Sequence, residues 1–203
     1  MRIIDLSMPL DNRTPAYPGD EKIKVEQVAV VDKDGYSKKN ITCNTHCGTH
    51  IDAPIHMVTG GKNLDQFPLD QFIGEVVLID VRKKPITLDC LKDKKITNRS
   101  VVLFLTGQSD NCYQEYYKGT KYIPENVARE LVKKKIKAIG VDALSPDTTP
   151  YLIHKILLPK NILIIENLMN LKELVGKKST IHFFPLRITQ GDGSPTRAIA
   201  ITK

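Results

Sequence analysis

The sequence has no C-x-x-C pair, no unbroken apolar run of the roughly twenty residues a membrane helix needs, no repeat and no Ser/Gly-rich tract. Each absence removes a class of protein. The four cysteines, Cys43, Cys47, Cys90 and Cys112, are expected to stay reduced, because a cytosolic chain of this size has little use for disulfides. The stretch from Met1 to Asp20 carries Arg2 and then only a short apolar run interrupted by Asp5 and Asp11, unlike a signal peptide or a membrane anchor. A cytoplasmic protein without a membrane partner is the expectation. With no linker to divide them, the 203 residues are expected to form one domain over 1–203. The 41% hydrophobic and 26% charged residues are the balance of a globular chain that folds on its own.

Thirty Lys and Arg against 23 Asp and Glu give a formal charge of +7, which invites a polyanion partner. The distribution argues otherwise. The densest run, Lys133-Lys134-Lys135-Ile136-Lys137, follows a helix-like segment and lacks interleaved aromatics or glycines, so it reads as a solvated face. No nucleic-acid partner is expected.

Short β-branched runs predict buried strands at Val76 to Val81, Val101 to Thr106, Ala138 to Val141 and Ile162 to Ile165, and their continuous apolar character predicts cover on both faces. Helical spacing, with Pro at a first helical position in two cases, predicts helices over Pro124 to Lys135, Pro150 to Leu158 and Leu168 to Val175. At the end of the chain His182 to Ile188 and Arg197 to Ile201 flank the turn-rich Gln190 to Pro195 and read as an antiparallel pair. The fold class is therefore α/β, a single domain with a mixed β-sheet and helices packed on it.

Chemistry concentrates in Asn44-Thr45-His46-Cys47-Gly48-Thr49-His50-Ile51-Asp52-Ala53-Pro54-Ile55-His56, which holds three of the five histidines. Gly48, Thr49 and Pro54 disfavour a helix. In an extended segment His46, Gly48, His50 and Asp52 would share one face, with Gly48 leaving open space between the imidazoles and Pro54 ending regular pairing before His56. Two imidazoles and a carboxylate suit zinc, with manganese or iron as alternatives, and leave positions open for water and substrate. Two other readings compete. The histidines could be surface or core residues held by hydrogen bonds, or Cys43 and Cys47 could build a structural zinc site. Strand parity turns those cysteines away from the histidines.

The stretch His46 to His56 resembles, without a gap, the H-x-G-T-H-x-D-x-P-x-H signature of the metal-dependent cyclase-like hydrolases, which include bacterial kynurenine formamidases and isatin hydrolases. The resemblance extends over nearly the whole chain, through Thr14 to Asp20, Thr106-Gly107, Gly140-Val141-Asp142 with Ser145-Pro146-Asp147, and Asp192 to Arg197. It implies that His46, His50 and Asp52 bind a first metal, that Asp52 bridges to a second, and that His154 and Glu166 complete the set. One or two Zn2+ ions are implied, with Mn2+ as the alternative. Local sequence allows this, since Glu166 ends an apolar strand where a carboxylate is costly to bury without a partner. Without the resemblance Glu166 would read as a solvent-exposed strand end and His154 as an unrelated helical residue. His56 takes the role of proton donor and acceptor. His182 matches no ligand and reads as structural, and Asp142 reads as a strand-end residue.

The resemblance implies cleavage of a small amide, a formamide such as N-formylkynurenine, by metal-activated water, and with it a place in tryptophan catabolism. A cyclic amide or lactone hydrolase, or a binding protein that kept the metal and lost catalysis, are the alternatives. The kynurenine formamidases tend to carry Trp where this chain has Tyr17, and the chain contains no Trp. Tyr17 keeps an aromatic wall for the substrate. Net positive charge is compatible with an anionic substrate or product. The expected partners are a small amide or lactam and a second copy of the chain in a homodimer, with the Tyr17 segment near the subunit boundary.

Overall fold

The computed structural model describes residues 1–113 and 119–202. Among them the chain forms strands β1 (Arg2–Asp5), β2 (Lys24–Ala29), β3 (Lys38–Thr42), β4 (His50–Asp52), β5 (Ile73–Asp80), β6 (Ser100–Leu105), β7 (Ala138–Val141), β8 (Leu163–Glu166), β9 (Ser179–His182), β10 (Gly193–Pro195) and β11 (Ile199–Thr202). Three α-helices accompany them: α1 (Val31–Asp34), α2 (Glu125–Lys133) and α3 (Leu152–Leu157). Nine strands make one mixed sheet in the order β1-β11-β9-β5-β6-β7-β8-β4-β10, while β2 and β3 pair apart from it. Its centre, β5 to β8, is parallel. Both flanks are antiparallel.

The four predicted strands are these central ones, and their lack of polar alternation has the expected cause. Along β6, Val102 and Phe104 join Val127, Leu131, Ile153 and Leu157 of α2 and α3 in one buried cluster. Val101, Leu103 and Leu105 point the other way, into a second cluster. That cluster also holds Ile4 of β1, Ile181 of β9 and Ala200 of β11 from one flank, and Ile51 of β4 from the other. Side chains from both flanks meet there because the sheet curls, so one face is covered by helices and the other by the sheet itself.

Four expectations need correction. Leu168 to Val175 is not an α-helix: Leu168 continues the sheet's bonding by donating to Val141 O, Asn170 takes a left-handed φ of 57°, and a single 3-10 turn follows at Leu171–Leu174. Buried Leu168, Leu171 and Leu174 recur every three residues, the period of that tighter turn. The terminal antiparallel pair exists but is offset, with His182 opposite Ile199. The turn-rich segment supplies an edge strand, β10, where Pro195 is tolerated because an edge leaves one row of N–H groups unpaired. The extended reading of His46 to Asp52 holds only for His50–Asp52, since Thr45 and His46 form a turn. Nor does Gly48 leave open space: a Cβ there would stand 2.4 Å from Leu10 Cδ2. No helix among the described residues is long and apolar enough to cross a membrane.

Candidate functional site

Strand β4 lies between β8 and β10, and its register sets the site: His50 is opposite Glu166 on one side and Pro195 on the other, while Asp52 is opposite Ile164 and Gly193. Because strand side chains alternate, Ile51 enters the curled interior, and His50 and Asp52 face the helix-bearing side. Glu166 shares that side with Ile164 of the helix-facing cluster. Helix α3 packs there with Ile153 and Leu157 in the core, which carries His154 to the same place. His50, Asp52, His154 and Glu166 are all buried at the floor of a cavity of about 370 Å³.

Each of the two deepest imidazoles has one nitrogen committed elsewhere. His50 Nδ1–H donates to Gly48 O at 2.8 Å, and His154 Nδ1–H donates to Asp147 Oδ1 at 2.7 Å. Both Nε2 atoms therefore face the carboxylates. His50 Nε2 lies 3.3 Å from Asp52 Oδ1 and 3.4 Å from Glu166 Oε2; His154 Nε2 lies 3.5 Å from Asp52 Oδ2 and 3.5 Å from Glu166 Oε1. These gaps are long for hydrogen bonds but match the edge of a tetrahedron, about 3.3 Å, around a cation at the roughly 2.0–2.1 Å typical of zinc. Asp52 Oδ2 is buried and has no hydrogen-bond partner. An orphaned carboxylate oxygen facing an imidazole nitrogen is the arrangement a cation would satisfy, so the donor set fits a metal.

His46 sits above this floor and differs from it. Its Nδ1 is 2.8 Å from Asp52 Oδ1 and its Nε2 is 3.1 Å from Asp192 Oδ2. Burial alone would lower its pKa, but Asp52 and Asp192 outweigh that and push it up to about 9. His56, whose ring centre is 4.0 Å from that of His46, is pushed down to about 4 by burial. Asp52 also suffers burial, yet His50, His154 and His46 hold it well below the usual carboxylate range. Burial and the charge of Asp52 raise Glu166, as two close carboxylates do not ionise independently.

All six sequence-predicted polar residues, His46, His50, Asp52, His56, His154 and Glu166, line one cavity, together with Tyr17. Potential ligand atoms of His50, Asp52 and Glu166 lie within 4.8 Å of one another, as do those of His46, Asp52 and His56, so Asp52 is common to two groups. Cys43 is exposed, Cys47 is buried, and neither is among the described residues lining the cavity. His182 ends β9 away from the site, and Asp142 follows β7, accepting bonds from Thr106 and Gly107. Sequence reasoning assigned no role to Asp147, Tyr151 or Asp192. The resemblance passes through Asp147 and Asp192, but a lone loop carboxylate carries no spacing signal.

The chain is similar to known proteins over nearly its whole length. The Cyclase family model matches residues 4–148. An uncharacterized protein of Methanocaldococcus jannaschii is 36% identical over 99% of this chain and 100% of its own length. A kynurenine formamidase of Salinibacter ruber is 29% identical, with 98% of this chain and 97% of the relative covered. Among solved structures, a "predicted metal-dependent hydrolase" from Bacillus stearothermophilus superposes with a TM-score of 0.81 at 29% identity, covering 98% of this chain and 97% of that one. Isatin hydrolase A from Ralstonia solanacearum superposes with a TM-score of 0.84 at 26% identity, covering 98% and 91%.

Proposed function

The chain belongs to the cyclase family, and from that premise we propose that it is a metal-dependent hydrolase of small amides, with His46, His50, Asp52, His154 and Glu166 as metal ligands. One observation carries the reading: two buried imidazoles, each oriented by a bond at Nδ1, present Nε2 to two buried carboxylates, one with an orphaned oxygen. Zinc is the proposed ion, because nitrogen and oxygen donors at these spacings suit it, and manganese is the alternative. Such a cation, when bound, lowers the pKa of water toward about 7 and polarises a carbonyl.

The remaining chemistry belongs to side chains. His56 is neutral at pH 7, the form that accepts a proton, and it stands beside His46 at the cavity wall rather than on the floor. It is the proposed base during attack and the acid that returns the proton to the departing nitrogen. Asp192, 4.0 Å from His56 Nδ1, is placed to steady the imidazolium that forms. His46 is held between Asp52 and Asp192, so its ligation requires exchanging one of those contacts. Tyr17 is the proposed aromatic wall for the substrate.

An aryl formamide of the N-formylkynurenine type is the proposed substrate, a choice the name of the Salinibacter relative supports, and with it we propose a place in tryptophan catabolism and in the cytoplasm. A cyclic amide is the second reading, supported by the likeness to isatin hydrolase A. The test is a panel of formanilide, isatin and a δ-lactone with Zn2+ or Mn2+ supplied. Formanilide turned over fastest is the expected result, and no turnover of any of the three by metal-loaded protein would overturn the reading. We also propose a homodimer. The β2–β3 hairpin stands apart from the main sheet and exposes Val28, Val30, Val31, Tyr36 and Ile41, a surface a second copy would cover. Light scattering should give a dimer mass, and a fully active monomer would refute it.

A further inference from the structure

The two deepest imidazoles are oriented by unlike acceptors. His154 Nδ1–H meets a side-chain carboxylate, whereas His50 Nδ1–H meets the backbone carbonyl of Gly48 at 2.8 Å. A carbonyl points where its peptide plane points, and the Gly48–Thr49 peptide follows a glycine at φ 59°, the residue type whose backbone turns most freely. His50 keeps its orientation only if that peptide is held.

Asn167 holds it. Strands β4 and β8 pair over three residues and end at His50 opposite Glu166, so the next position along sets Thr49 opposite Asn167. The backbone groups there are engaged elsewhere, Asn167 N–H on Ala143 O and Thr49 O by Thr196 N–H, both at 2.9 Å. Two bonds between side chain and backbone take the place of the ladder. Asn167 Nδ2–H donates to Gly48 O at 2.9 Å, and Thr49 Oγ1–H donates back to Asn167 O at 2.6 Å. Thr49 Oγ1 also accepts from Met8 N–H at 2.8 Å, which leaves its own proton for Asn167. Gly48 O thus accepts from both Asn167 and His50, one donor for each lone pair.

The residue type answers to this position. Asn167 is buried and stands at φ 56°, in the left-handed region that asparagine tolerates better than most side chains. It must donate, because a carbonyl can only accept; an aspartate of the same shape would set an acceptor against Gly48 O. It also follows Glu166 directly, so the bond that steadies His50 joins the two strands whose side chains stand 3.4 Å apart at His50 Nε2 and Glu166 Oε2. We infer that Asn167 is a positioning residue, which fixes the Gly48 carbonyl, commits His50 Nδ1 and turns Nε2 toward Asp52 and Glu166. Its use to the enzyme rests on the metal-dependent reading, in which Nε2 is the ligand atom.

The test follows the His50 Nδ1–H itself, by hydrogen exchange in protein labelled with 15N-histidine, without metal and with Zn2+, and the Zn2+ affinity by calorimetry. Asn167→Ala and the isosteric Asn167→Asp should each speed exchange of that proton about tenfold and weaken Zn2+ binding roughly 10–100-fold. Thr49→Val is the control for general loosening, since it removes the other bond of the pair and leaves Gly48 O bonded to Asn167. It should lower the thermal midpoint while exchange and Zn2+ affinity stay within about threefold of wild type. Exchange and affinity unchanged in both Asn167 variants would overturn the inference, and so would equal losses in Thr49→Val, which would reduce Asn167 to ordinary support. Faster exchange in the Asn167 variants of a protein that binds no Zn2+, or that binds it and hydrolyses no formanilide, would leave the positioning role standing and remove the hydrolase reading. Unchanged exchange and affinity in the variants of a metal-dependent formanilide hydrolase would do the reverse.

Discussion

His154 donates its Nδ1–H to Asp147 Oδ1 at 2.7 Å, and the other oxygen of Asp147 accepts from the backbone N–H groups of Ile153 at 2.5 Å and His154 at 3.2 Å. One carboxylate therefore starts helix α3 and selects the ring nitrogen that faces the cavity. Replacing it with Asp147→Ala should lower metal affinity roughly 10–100-fold, the usual cost of losing a partner that orients a ligand. Asp147→Asn keeps an acceptor and should lose less. Metal titration monitored by calorimetry checks this, and equal affinity in wild type and Asp147→Ala would show that the contact does not orient the ligand.

His46→Ala, His50→Ala and Asp52→Ala each remove a proposed ligand and should lose bound metal and turnover together. His56→Ala should keep its metal and lose about 10²–10⁴-fold in kcat, the range for a general acid–base group. Because His56 lies near enough to Asp52 and His46 to act as a ligand itself, metal analysis of this variant is informative. Metal loss equal to that in the other three variants would make His56 a ligand.

Glu166 is placed to report on the number of ions, since its two oxygens face different imidazoles, Oε2 toward His50 and Oε1 toward His154. A carboxylate of this kind can span ions about 3.5–4 Å apart. Glu166→Gln keeps one strong acceptor and should lower the metal-to-protein ratio measured by elemental analysis. An unchanged ratio would remove Glu166 from the ligand set.

Asp142 tests the fold rather than the site. It accepts from Thr106 N and Oγ1, both at 2.7 Å, and from Gly107 N at 2.9 Å, tying the end of β7 to the end of β6. Asp142→Asn can accept on one side only and would leave a donor unpaired, at a cost of about 1–3 kcal/mol. Burial raises the pKa of Asp142 above 3.8 despite these bonds. A raised native pKa means this group's contribution is full below the unfolded value and is lost as pH rises through the native one. The stability gap between wild type and Asp142→Asn should therefore shrink as pH rises through that window. Urea unfolding across acidic pH measures it, and a gap that widens with pH would contradict the sign.

How far the sequence foretold these features follows from where each signal resides. Buried strands such as Val101 to Leu105 are legible because both faces are covered, which leaves an unbroken apolar run. The floor of the site is legible because β4 carries His50 and Asp52 two residues apart. His154 and Glu166 are read only through family resemblance, as nothing local couples a helix residue to a strand end 12 positions on. Strand β10 is hidden by its Gly-Ser-Pro composition, and the β2–β3 hairpin by exposure of nearly all its side chains. Asp147, Tyr151 and Asp192 acquire their places through tertiary packing that no spacing records.

The most direct test of a metal-dependent amide hydrolase is the rate of formanilide hydrolysis before chelation, after removal of metal with a chelator, and after Zn2+ or Mn2+ is restored. The rate should fall to the uncatalysed background on chelation and return on adding metal, while His50→Ala stays at background throughout. Hydrolysis that proceeds undiminished in the chelated protein would contradict the assignment of His50, Asp52, His154 and Glu166 to a metal on which the reaction depends.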